Sequence, residues 1–436
     1  MCIRDSPFPS MINLESYPDV ALQDVYRTTL EPVGWENEWG DPGLVTSNVA
    51  ANLEKVVEIT MEEKISFWKK VMRHARNRGI DIYWINWNIC PNSVAPPVEP
   101  YYKTYQINLH EYEVGKHGIT YEISNPITID YYRQAVRTFL ETYPDVKGIG
   151  VTAGEHMPLS WGGYNREKWL WETYGLGIMD AKAANPDRQV DFIHRVWHSD
   201  MDQIMNYWGD YPDPFQVSFK YAKARLYSSP DLHFADSHVE EMEPYGLSSW
   251  WNLRNDDMFV YRWGDPDYVR DFLKNMPEEN TAGYYMGSDG YVWGREFISK
   301  DSRLSGQLEI KKHWYNFLMW GRLGYDQGLD ESYFIKKLEQ SYGLEDGTAL
   351  YGLWKTASGI IPLVNRFHWR DWDHHWSVES CQARPVLGGY RDVFDFMDNP
   401  TLERSGILNP REYVNGKSRE GEGRGITPLE IAASLE

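Results

Sequence analysis

The chain has 436 residues, 42 % hydrophobic and 25 % charged, and its 64 acidic against 44 basic residues leave a net charge of −20. The acidic balance argues against a nucleic-acid partner, whose phosphates would be repelled, and no apolar run approaches the ~18 residues of a membrane helix. An anionic sugar stays open as a partner, because a local cationic pocket can act against an acidic background.

Residues 1–6 (MCIRDS) lack the apolar stretch of a secretion signal and read as an unrelated leader. The first strong signal is Thr60-Met61-Glu62-Glu63, a capping box, followed by the apolar stripe Ile65, Trp68, Met72 and Ala75 and a stop at Gly79. Strand 80–85 (IDIYWI) follows at once. Thr128 is the expected cap of a second helix with Tyr132, Val136, Phe139 and Tyr143 on one face and Pro144 at its end. Further strands are expected at 148–151, 192–196, 216–221, 247–251 and 282–286. Short apolar strands separated by helix-length connections imply parallel βαβ units. Beyond them, 310–321, 331–342 and 347–366 read as helices, and Thr427-Pro428 opens one more.

Taken as the third to eighth strands of a barrel, these six leave the first missing and the second lost or reduced to residues around 7–14. No glycine-rich phosphate loop follows any strand, which argues against an open doubly wound sheet. The expectation is therefore an α/β fold, a (β/α)8 TIM-type barrel without its first strand over residues 7–305. A C-terminal helical region, itself cut short, is expected over 306–436.

A barrel carries its chemistry at the carboxyl ends of its strands. There the sequence offers Trp84, Asn86, Trp87 and Asn88, then Glu155 and His156, then Arg195 and Trp197. Lys220 comes next, then Trp251, Asn252, Arg254, Asp256 and Asp257, and lastly Asp289 and Arg295. Twenty Trp and 30 Tyr add flat rings of the kind that stack on pyranose faces. Glu155 ends an apolar strand after small residues, where partial desolvation would raise its pKa and suit it to general-acid catalysis. Glycoside hydrolysis needs a second carboxylate, about 5–5.5 Å away for retention or about 6.5–9.5 Å for inversion. Asp256, Asp257, Asp289 and Glu296 are the candidates, and spacing does not choose among them.

Two other clusters read as structure. Residues 367–376 (FHWRDWDHHW) form an aromatic cluster, since adjacent His374 and His375 do not share a helix face, and ADSHVEE at 235–241 is a loop shaping the cleft. Neither is a metal site, and no cofactor is expected. Cys2, Cys90 and Cys381 make no disulfide framework.

Four collinear segments resemble glycoside hydrolase family 67, the α-glucuronidases. They are YPDVKGIGVTAGEHMPLSWGGYNRE around the fourth strand, HRVW at 194–197, GSD at 287–289, and WYNFLMWGRLGYDQGLD from residue 314. The resemblance runs from about residue 80 to 376 and implies Glu155 as general acid of an inverting reaction, with Arg195 as a substrate ligand. It departs after strands six and seven, where the family places two further carboxylates. Here those stretches read FKYAKARL and SSWWNLRNDD, so acids come only later, at Asp256 and Asp257, and the lysine the family places before its acid is replaced near Thr152. A divergent relative is implied, acting on another uronic acid or an algal sugar.

The leading expectation is an exo-acting glycosidase for an acidic sugar, with Arg195 and Lys220 near its carboxylate. A non-catalytic carbohydrate-binding barrel and a polysaccharide lyase using Lys220, His156 or a Tyr as base are the alternatives.

Overall fold

The computed structural model describes residues 11–17, 25–28, 53–87, 116–120, 122–152, 160–161, 163–196, 199–219, 230, 232, 235–253, 263–286, 309–360, 408, 410–414 and 426–435. They fall into two compact units, one drawn from residues up to 219 and 241–249, the other from 220–240 and 250 onward. The strands of the main sheet are β3 (Ile82–Trp87), β4 (Val146–Thr152), β7 (Asp191–Val196), β8 (Phe215–Phe219), β9 (Ser249–Leu253) and β10 (Thr281–Met286). Their order through the sheet is β3-β4-β7-β8-β9-β10. All six expected strands are present, and β3, β4, β7 and β8 pair in parallel. The result is an α/β half-barrel sheet with helices. Among the described residues it has six strands where a closed barrel needs eight.

In the first unit, α1 (Met61–Arg76) starts at the expected capping box: Glu63 N donates to Thr60 Oγ1 at 3.2 Å, and Thr60 N donates to Glu63 Oε2 at 2.8 Å. Helix α2 (Pro126–Thr142) departs from expectation. Its cap is Asn125, whose Oδ1 accepts from Ile127 N at 2.8 Å. Pro126 has no N–H to satisfy and so suits the first helical position, which starts the helix ahead of Thr128. The Thr128 hydroxyl instead donates to Thr120 O at 2.9 Å and accepts from Thr120 N at 3.0 Å. The expected stripe of Tyr132, Val136, Phe139 and Tyr143 is buried.

The described part of the residues expected to hold a vestigial strand, 11–14, is a buried turn. It is tied down by Tyr143, whose hydroxyl donates to Met11 O at 2.6 Å. Strands β1 (Val25–Thr28) and β2 (Leu53–Val57) pair antiparallel in a separate two-stranded sheet.

Partners in a parallel ladder point to the same face, and successive residues alternate. One face of β3-β4-β7-β8 packs on helices. Trp84 meets Trp68 of α1 and Phe139 of α2 at ring separations of 5.4 and 5.7 Å. Phe192 stacks on Trp208 of α5 (Met201–Trp208) at 4.0 Å. The opposite face carries Tyr83, Ile85, Asp191 and Ile193. Groups of the flanking strands close over β4 there: a Cβ on Gly148 would sit 2.5 Å from the backbone oxygen of Asp191, and one on Gly150 2.9 Å from Ile85 Cγ1. The two glycines let the flanking strands lean inward.

From β4 the chain passes through a short antiparallel pair, β5 (Ser160–Trp161) and β6 (Tyr164–Asn165), into α3 (Arg166–Leu170). A π-helical turn, Trp171–Gly175, joins α3 to α4 (Leu176–Ala184).

Residues 235–240 of the second unit open α6 (Ala235–Met242), correcting the loop expected of ADSHVEE. Asp236 falls in its first turn, where the helix dipole favours an acid. Helix α7 (Pro266–Asn275) is capped by Asp265. Helices α8 (Glu309–Lys312), α9 (Trp314–Tyr325), α10 (Glu331–Tyr342) and α11 (Thr348–Ser358) follow. Trp320 of α9 is the hub of this unit: it lies 6.2 Å from Trp263 and 5.6 Å from Phe272, and its carbonyl accepts from Tyr284 OH at 2.8 Å. Helix α10 has the expected bounds and ends at Gly343 in the left-handed conformation (φ +65°). Two short helices, α12 (Pro410–Val414) and α13 (Pro428–Leu435), come last, and Thr427 caps α13 through a reciprocal pair with Glu430.

Candidate functional site

The carboxyl ends of β3, β4, β7 and β8 form one register row, Trp87–Thr152–Arg195–Ser218. Alternation puts Thr152, Arg195 and Ser218 on the face opposite the helices. Thr152, Arg195 and Ser218 are all buried. The Thr152 hydroxyl has no hydrogen-bond partner among the described residues, and a buried orphan hydroxyl is costly unless a water or ligand satisfies it. A hydroxyl beside a guanidinium at a strand end is suited to a polar, anionic group.

Below this row lies an ionic cluster of a different kind. Asp191 accepts from Tyr83 OH at 2.8 Å and Gln189 Nε2 at 2.9 Å, with Lys147 Nζ at 3.3 Å. It sits at the amino ends of the strands and locks β3, β4 and β7 together, the stability end of such a sheet.

Parity separates the residues that sequence grouped together. Trp84 and Asn86 face the helices: Asn86 is 1 % exposed and its Nδ2 donates to Tyr174 OH of the π-turn at 2.9 Å. Trp251, in the second unit, is fully buried, its indole N–H donating to Thr281 Oγ1 at 2.9 Å. These three side chains have structural partners in place of an open surface. Asn252 follows within β9. Asn88, Glu155, His156, Trp197, Lys220, Arg254, Asp256, Asp257, Asp289, Glu296 and Arg295 lie outside the described residues, as does the 367–376 cluster.

Sequence reading passed over one buried group. His194 Nε2 lies 2.9 Å from Glu167 Oε2, Ser199 Oγ donates to Glu167 Oε1 at 2.9 Å, and Arg166 Nη2 donates to Ser199 Oγ at 2.5 Å. Arg166 Nε is 3.6 Å from Glu167 Oε1. Burial pushes the Glu167 carboxyl up, but His194, Arg166 and Ser199 outweigh it and hold it below its ordinary value of 4.5. Asn165 anchors the turn, its Oδ1 accepting from Glu167 N at 2.7 Å and Lys168 N at 3.2 Å. The signal was present: Arg166 and Glu167 close the longest family-67-like segment, and His194 opens the next.

No family model matches the chain, and no curated protein does. The resemblance to family 67 therefore rests on its four segments alone. Among solved structures the chain is similar to a GH138 enzyme targeting pectin rhamnogalacturonan II, at 17 % identity and a TM-score of 0.57. The two share a fold. The match covers 83 % of this chain and 38 % of the enzyme, so the chain spans well under half of that protein's length.

Proposed function

We propose that the chain is part of a glycoside hydrolase acting on a uronic-acid-containing polysaccharide, attacking chain ends by acid/base catalysis. The observation that carries this reading is the fold shared with a GH138 enzyme over 83 % of the chain. Arg195 in the strand-end row beside Thr152 supports it, because a guanidinium is the natural bidentate partner of a sugar carboxylate. Glu155, three residues beyond Thr152, is the general acid, and Asp256, Asp257 or Asp289 supplies the second carboxylate. Lys220 assists Arg195 in holding the substrate's charge. Residues 7–305 make up the catalytic region and 306–436 a helical region that follows it in the chain.

The test is Glu155→Gln on pectic oligosaccharides and on aryl glycosides. Turnover of the natural linkage should fall about 10²–10⁴-fold, the range for lost general-acid catalysis. Substrates with activated leaving groups should suffer far less, since they need little protonation. Equal losses for both would remove Glu155 from the acid role.

A further inference from the structure

Arg166 and Glu167 are 1 % and 2 % exposed, and His194 is fully buried. Burying such a charge cluster is expensive, and apolar residues of the same volume often serve stability as well or better. The cluster's position points to another role. It ties together the start of α3, the strand β7 and the residue Ser199 just beyond it. His194 and Arg195 are neighbours on β7 facing opposite sides, so whatever fixes the imidazole fixes the strand that presents the guanidinium. Among the described residues Glu167 is the one hydrogen-bonding partner of the imidazole, because His194 Nδ1 has none there.

We infer that Arg166, Glu167, His194 and Ser199 form a positioning network that holds β7, and with it Arg195, in place for catalysis. The inference rests on the glycosidase reading for its catalytic consequence, though not for the ordering it assigns to β7 and the start of α3. The experiment uses the full chain carrying Arg166→Met/Glu167→Leu, which removes both charges at similar volume and takes away the partner of the His194 imidazole. A second variant, Glu167→Gln, keeps the shape and hydrogen-bonding capacity. Hydrogen exchange should speed up in peptides covering 163–168 and 194–200 of the double variant and stay unchanged over α1. With pectic oligosaccharides as the probe, kcat should fall about 10²-fold, the loss typical of ~1 Å misplacement, with KM changing less. Glu167→Gln should recover part of it. A double variant that exchanges like wild type, or one that loosens both peptides yet keeps wild-type kcat, overturns the inference. Should wild type release no sugar, the glycosidase reading fails by itself, and exchange in the two peptides still decides the network.

Discussion

At the scale of single residues, Glu167 and Gly148 show how one side chain, or the lack of one, governs the sheet. Glu167→Leu alone leaves Arg166 and His194 facing a lost anion, and breaking one half of a buried pair costs about 3–5 kcal/mol. Urea unfolding of the single and double variants will check this: the single variant should be the less stable of the two. The pH dependence has a definite sign. The Glu167 carboxyl is held below 4.5 in the folded state, so its contribution is present above 4.5 and lost as pH falls through the folded value. Glu167→Gln should remove that part of the acid transition, and an unchanged acid-unfolding curve would count against it. Gly148→Ala meets a backbone carbonyl at 2.5 Å, an obstacle no rotamer change relieves. Overpacking of this kind costs about 1–3 kcal/mol, read as a lower denaturation midpoint at unchanged slope.

At the scale of elements, apolar runs between helix-length connections were enough to mark β3, β4 and β7 to β10, most clearly β4, because a strand buried on both faces reads as a near-continuous apolar stretch. The ends were harder. Thr128 resembles a cap, yet Asn125-Pro126 provides both the acceptor and the residue that needs no donor, and this pair wins. Asn125→Ala should therefore destabilise by about 0.5–2 kcal/mol, towards the upper end because Asn125 Nδ2 also donates to Gly118 O and Thr120 Oγ1. A Thr128→Ala variant losing much more than Asn125→Ala in calorimetry would reverse this assignment. Parity was the other difficulty. Trp84 and Asn86 belong to a polar and aromatic strand end, but a period of two turns them to the helices, and sequence does not fix which parity faces inward until the register of β4 is known. The Glu167–His194 contact joins residues 27 apart in sequence, and no local pattern encodes that. Of the candidate site, Trp87 and Arg195 are the residues whose expected strand-end positions fall in the register row.

At the scale of the whole molecule, the net charge of −20 bears directly on how a uronic-acid substrate would arrive. At ~0.01 M ionic strength the screening length is about 30 Å, so an approaching anion feels the summed negative field of the chain; at ~0.15 M it is about 8 Å. The attraction assigned to Arg195 acts at contact. The residue is 6 % exposed, and buried charges are screened much less than surface ones. Added salt should therefore weaken the long-range repulsion more than the short-range attraction. For an anionic oligosaccharide, kcat/KM should rise severalfold between these two salt concentrations, with most of the change in the association step. A neutral aryl glycoside should show no comparable rise, which separates the electrostatic effect from any general effect of salt on the fold. Arg195→Gln should weaken binding of the anionic substrate while leaving the upward salt trend in place, because the trend belongs to the molecule and the contact to the residue. A fall in kcat/KM with salt would mean that a cationic field reaches well beyond the strand ends and dominates the approach, and the repulsive picture would be wrong.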